Sequence, residues 1–220
     1  PVILWLFFLP NSPQMSAEEE SEAKSKGNLR KVLPMVITAL LFLFFYVGSE
    51  IAFGNWIYTY ALTLNLADAT QAAYLTSGFW LSFTIGRAIS ILAAARFKAE
   101  QMLAVAFLGG LVLLALALIA PESINMLWAA TLGIGFFMAP IWATGYNLVG
   151  QSIKLTATIS SIILLGDSLG GIVLPSLTGL AIERFGAEIM PWLVFGSFSI
   201  NGLVFMVMLV QRRKMQEING

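Results

Sequence analysis

From about position 32 to the end of the chain, long apolar runs alternate with short polar breaks. The runs at 102–120, 124–149 and 189–210 contain no Asp, Glu, Lys or Arg. Three others, at about 32–62, 70–95 and 155–182, are equally long and carry one internal charge each: Glu50, Arg87 and Asp167. A helix needs about 20 apolar residues to cross the hydrocarbon core, and each run meets that length. The apolar character is continuous rather than alternating, which favours helices over a membrane barrel. The pattern predicts an all-α membrane protein with six transmembrane helices.

The first 31 residues differ. Residues 1–10 are apolar but too few to span, so they read as the end of a truncated transmembrane helix. Residues 11–31 turn abruptly polar, with Glu18, Glu19, Glu20 and Glu22 followed by Lys24, Lys26, Arg30 and Lys31. Ser-rich and without apolar periodicity, this stretch is expected to be a disordered cytoplasmic linker. The bundle then occupies 32–210 and a cytoplasmic tail 211–220.

Composition narrows the function. The chain is 58% hydrophobic and 11% charged, against about 45–50% and about 25% in soluble domains. Twelve basic residues balance twelve acidic ones, which points to no nucleic-acid partner. The chain has no cysteine and no histidine. That excludes disulfides, thiolate metal sites and every His-dependent catalytic scheme. Gly166-Asp167-Ser168-Leu169 looks like a hydrolase nucleophile motif, but that chemistry needs a histidine. No enzyme and no resident cofactor are expected.

Charge placement sets an orientation. With the linker in the cytoplasm, the loops after the second and fourth spans and the tail fall on the same side. Lys24, Lys26, Arg30, Lys31, Arg96, Lys98, Lys154, Arg212, Arg213 and Lys214 then lie inside, and only Arg184 lies outside. This is the asymmetry of positive-inside sorting.

An ionisable group near the bilayer centre costs roughly 2.5–3.5 kcal/mol on the insertion scale, so each of the three internal charges needs protein or water beside it. At about 100° per residue, Glu50 shares a helix face with Phe42, Tyr46, Ser49, Phe53, Trp56 and Tyr60. A carboxylate among rings and phenols suits a polyhydroxylated solute. It suits equally a proton or cation in symport, or a structural hydrogen bond to a neighbouring helix. Arg87 shares its face with Thr76, Trp80, Phe83 and Thr84, and either snorkels to the inner headgroups or holds an inner gate. Its backbone is expected about 12 Å from Glu50 in depth, too far to assume an ion pair. Asp167 stands beside Gly166 and Gly170, a small-xxx-small spacing that lets helices pack closely. Gly133, Gly135, Pro140 and Gly145 are expected to interrupt the fourth span, and Gly170, Gly171, Pro175 and Gly179 the fifth. Thr144, Asn147 and Gln151 form a polar stripe on the fourth span, lining an inner cavity or marking the interface.

Several stretches carry a family resemblance: Tyr46-Val47-Gly48-Ser49-Glu50 continuing to Trp56, Gly86-Arg87, Ala139-Pro140-Ile141-Trp142, and Gly166-Asp167-Ser168-Leu169-Gly170-Gly171 continuing to Pro175. With six spans after a charged linker, the chain resembles the C-terminal half of a major facilitator superfamily transporter, in the branch of the sodium-dependent glucose transporter and fucose-permease-like proteins. The resemblance implies alternating access around a cavity shared with a missing N-terminal six-helix half. It implies a small solute such as a sugar, Na+ or H+ as coupling ion, and a multi-pass protein of the plasma membrane. The resemblance carries a functional glutamate onto Glu50, with Trp56 close by, and an arginine onto Arg87, and matches Asp167 to no known binding residue. Taken with the residues' own chemistry, Glu50, Tyr46, Trp56, Tyr60, Asp167 and Trp80 are the expected solute- or ion-binding residues, and Arg87 and Arg96 the gating or structural charges. The superfamily's loop motif after the second span survives only as Arg96-Phe97, with Ala95 where an aspartate is expected. The competing expectation is a non-transporting receptor or scaffold of the same fold.

Overall fold

The computed structural model describes residues 16–119 and 123–219, and side chains within 32–119 and 123–215. The segment 1–10 and the start of the 11–31 stretch lie outside the described residues. Seven helices follow one another: α1 Ser16–Thr63, α2 Ala69–Ala94, α3 Ala99–Ile119, α4 Ile124–Met138, α5 Ile141–Gly150, α6 Ala157–Phe185 and α7 Ile189–Asn219. The chain divides into two units, Pro1–Pro34 and Met35–Gly220. In the first, the backbone is helical from Ser16, so the polar stretch expected as irregular linker is helical over 16–31. The sequence places Glu20 and Glu22 four residues before Lys24 and Lys26, an order that favours helix.

The second unit holds a bundle with six helical stretches long and apolar enough to cross a membrane: Val32–Thr63 (which begins just before it), Ala69–Ala94, Ala99–Ile119, Ile124–Gly150, Ala157–Phe185 and Ile189–Met215. These match the six predicted runs within a few residues at most ends. The protein is an integral, multi-pass membrane protein. Local chemistry sets several ends. Asp68 caps α2 through a bond from Gln71 N at 2.8 Å. Ser123 and Thr156 cap α4 and α6 in the same way. Gly186, at φ 90°, ends α6 in a conformation that a side chain disfavours.

The two sets of breakers behave differently. The fourth span is interrupted at Ala139-Pro140, between α4 and α5. Pro140 has no N–H to offer the Phe136 carbonyl, and Gly86 packs against that carbonyl from α2. The fifth span is not interrupted, contrary to expectation, since α6 runs through Gly170, Gly171, Pro175 and Gly179 as one helix. Its glycines serve close packing instead. A Cβ at Gly166 would strike the Leu40 carbonyl, and one at Gly170 the Phe44 carbonyl. Farther along, Gly48 meets Leu174 and Gly179 meets Trp56. The numbers rise together on both helices, so α1 and α6 pack in parallel along this seam.

Candidate functional site

Helix α1 buries the face predicted from periodicity. Phe42, Tyr46, Ser49, Phe53 and Tyr60 are buried, and Glu50 is 7% exposed. The Glu50 carboxylate is therefore largely enclosed by protein, one turn along α1 from Tyr46. Helices α1, α2 and α6 carry one membrane charge each, of which Glu50 is buried, Asp167 half-buried and Arg87 exposed. No Glu50–Arg87 ion pair forms among the described residues, in line with their offset in depth. The Arg87 guanidinium instead sits over the Phe83 ring, 4.6 Å from its centroid, a cation–π contact.

The helix break adds the fourth wall. Just before it, the Met138 carbonyl accepts from the Tyr46 hydroxyl at 2.9 Å. Just after it, the Trp142 indole N–H donates to Asp167 Oδ1 at 2.7 Å, and Trp142 stacks on Tyr146 with ring centroids 5.5 Å apart. The two segments flanking Pro140 are each tied to a charge-bearing helix. Trp142 as the partner of Asp167 is legible only in three dimensions, since the two are 25 residues apart on different helices.

The other predicted site residues divide among three places. Trp56 donates its indole N–H to the Pro175 carbonyl at 2.8 Å, so its polar atom ties α1 to α6. Trp80 packs in a ring cluster with Phe79 and Phe83 and against Gly54. Tyr60 lies in the wall of a cavity of about 400 Å3 with Glu188 and Trp192, at the end of the bundle where α1 finishes. Thr144, Asn147 and Gln151 all line another cavity of about 400 Å3, at the opposite end. Arg96 is exposed in the turn after α2. The ion pair at this end is formed instead by Arg212 and Glu100, at 2.6 Å, with Arg212 also donating to Gln151 at 3.1 Å. Neither Arg212 nor Glu100 stood out in the sequence, because the two are 112 residues apart.

Between α1 and α7 runs a polar ladder that periodicity did not reveal. Ser49 and Ser197 share a hydrogen bond of 2.7 Å, and Gln211 donates to Thr38 at 2.9 Å. Between these levels Asn201 is fully buried, and its side-chain amide has no hydrogen-bond partner among the described residues. Among the described residues no group of His, Cys, Asp and Glu is arranged to hold a metal ion.

Six spans, a broken fourth helix and three ionisable residues within the spans, Glu50 buried, Asp167 half-buried and Arg87 exposed, define a polytopic membrane protein with polar groups at membrane depth. No protein-family model matches the chain. It is 28% identical over 196 residues, 88% of its length, to sodium-dependent glucose transporter 1A of Mus musculus. It is 26% identical over 210 residues, 94% of its length, to sodium-dependent glucose transporter 1 of Homo sapiens. To major facilitator superfamily domain-containing protein 4A of Mus musculus it is 27% identical over 170 residues, 77% of its length. The matches cover 46%, 40% and 32% of those proteins, so the chain spans less than half the length of these relatives. The chain is thus a homologue of these proteins over most of its own length, consistent with a major facilitator transporter and not with an enzyme.

Proposed function

We propose that the chain forms the C-terminal half of a secondary active transporter for a small organic solute, a sugar above all, working by alternating access with Na+ or H+ coupling. The observation that carries this reading is the burial of the Glu50 carboxylate within a membrane span, where it is 7% exposed and has no ion-pair partner among the described residues. Fully ionised, the three membrane charges Glu50, Asp167 and Arg87 sum to one excess negative charge. An uncompensated charge inside the membrane is costly, so one monovalent cation, Na+ or a proton, balances it. Its release would restore the imbalance, which is how a coupling ion drives a conformational cycle. The names of the relatives support the same solute and ion class.

In this reading the Pro140 break lets α5 move relative to α4. Linker and tail face the cytoplasm, and the membrane is the plasma membrane. The test is Glu50→Gln in the full-length protein at matched surface abundance. Cation-driven accumulation should be lost. Normal concentrative uptake removes Glu50 from the role, and absence of solute-accelerated exchange in wild-type proteoliposomes favours a non-transporting receptor or scaffold.

A further inference from the structure

Two cavities adjoin at the end of the bundle where Arg212 meets Glu100, and neither is lined by Glu50 or Asp167. The first, about 260 Å3, lies between α2, α3 and the α4–α5 break. Its wall is apolar apart from Ser90 and Gln101. Its rim includes Ile89 and Val105, 45% and 61% exposed, so it opens sideways onto the apolar surface of the bundle. The second, about 400 Å3, shares Ser90, Phe97 and Met102 with the first and brings in Lys98, Glu100 and Arg212.

The charges of the second cavity do not cancel. Arg212 is paired with Glu100, whereas Lys98 has no ion-pair partner among the described residues. The mouth therefore carries one net positive charge. A ligand that satisfies both halves needs an anionic oxygen-bearing head and an apolar chain leaving it sideways. Free phosphate leaves the slot empty, and a neutral apolar molecule leaves the Lys98 charge uncompensated.

We propose that this composite groove holds one anionic phospholipid of the adjacent leaflet, its headgroup phosphate toward Lys98 and Arg212 and an acyl chain in the slot beside Val105. Basic pockets between membrane helices recognise anionic headgroups in this manner. The acyl chain then lies against α2 and the Pro140 break, where it can bias the movement of α5.

The test reconstitutes the intact protein in vesicles of phosphatidylcholine with and without phosphatidylserine, then counts retained phospholipids by native mass spectrometry. Wild type should retain phosphatidylserine in preference to phosphatidylcholine, even in excess inorganic phosphate. Lys98→Gln, on an exposed turn, should weaken that retention about fivefold, the worth of one basic residue near a membrane surface. Val105→Trp fills the slot from an exposed position without touching the charges, and should also release the lipid. The proposal is overturned if phosphatidylcholine is held equally well, if inorganic phosphate displaces the lipid, or if both variants retain phosphatidylserine as wild type does.

Discussion

Gly170 and Gly171 are neighbours on α6, yet an added methyl group meets very different surroundings at the two. At Gly170 a Cβ would stand 2.7 Å from the Phe44 carbonyl carbon and 2.8 Å from its Cα, with the carbonyl oxygen closer still. At Gly171 the nearest atom is a Val47 methyl at 3.4 Å, an ordinary contact. Backbone cannot rotate aside as a side chain can, so Gly170→Ala must push α1 and α6 apart. Relieving the carbon contact alone, from 2.7 Å to an ordinary 3.4 Å, takes a shift of about 0.7 Å, and the nearer oxygen demands more, over a seam that Gly166 repeats one turn earlier. Overpacking of this kind costs about 1–3 kcal/mol. Both substitutions gain the same helix propensity, about 0.5–1 kcal/mol, so that contribution cancels between them. The expected difference is therefore about 1–3 kcal/mol, with Gly171→Ala neutral or stabilising. For a chain of this size, about 1 kcal/mol moves the melting temperature by about 2–4 °C. Thermal unfolding of the two purified variants in one detergent measures it. Equal melting temperatures for Gly170→Ala and Gly171→Ala would refute the close parallel packing of α1 on α6.

Three further outcomes are expected. Trp142→Phe keeps the stack on Tyr146 but removes the donor to Asp167, and should cost about 1.5–3 kcal/mol, as for a hydrogen bond to a charged group. Asp167→Asn retains an acceptor and should lose less, so equal losses in thermal unfolding would deny the Trp142–Asp167 bond. Arg212→Gln breaks the ion pair with Glu100, which is partly exposed, and should cost no more than about 1 kcal/mol, fading as salt is raised. A loss unaffected by salt would show that Arg212 acts through packing instead. An epitope beyond Met215 should be reached by antibody only in permeabilised cells, and labelling of intact cells would reverse the proposed orientation.

The spans were legible because composition alone decides what can cross a bilayer, and each run announces itself over some twenty residues. The Pro140 break was legible too, since a proline removes one backbone donor wherever it stands. The same logic failed at Pro175. There α1 packs closely on α6, Trp56 bonds the Pro175 carbonyl, and the helix is held through the missing bond. Periodicity identified the Glu50 face correctly but was silent on whether it met water, ligand or protein. The structure shows that Tyr46 and Trp56 spend their polar hydrogens on the carbonyls of Met138 and Pro175. The pairs Trp142–Asp167, Arg212–Glu100 and Ser49–Ser197 join distant helices and leave no local trace in the sequence.

The parallel pairing of α1 with α6 bears on how the protein is made. Adjacent spans of a membrane chain run antiparallel and can associate as soon as both have left the translocon. Two parallel spans separated by three other crossings cannot meet until the later one has been synthesised, so this seam closes late in biogenesis. Until then Glu50 lacks the neighbour that carries Asp167, and the nascent α1 exposes its carboxylate to lipid or to quality-control factors. Lesions at Gly166 or Gly170 should consequently surface as a lower abundance of folded protein in the membrane.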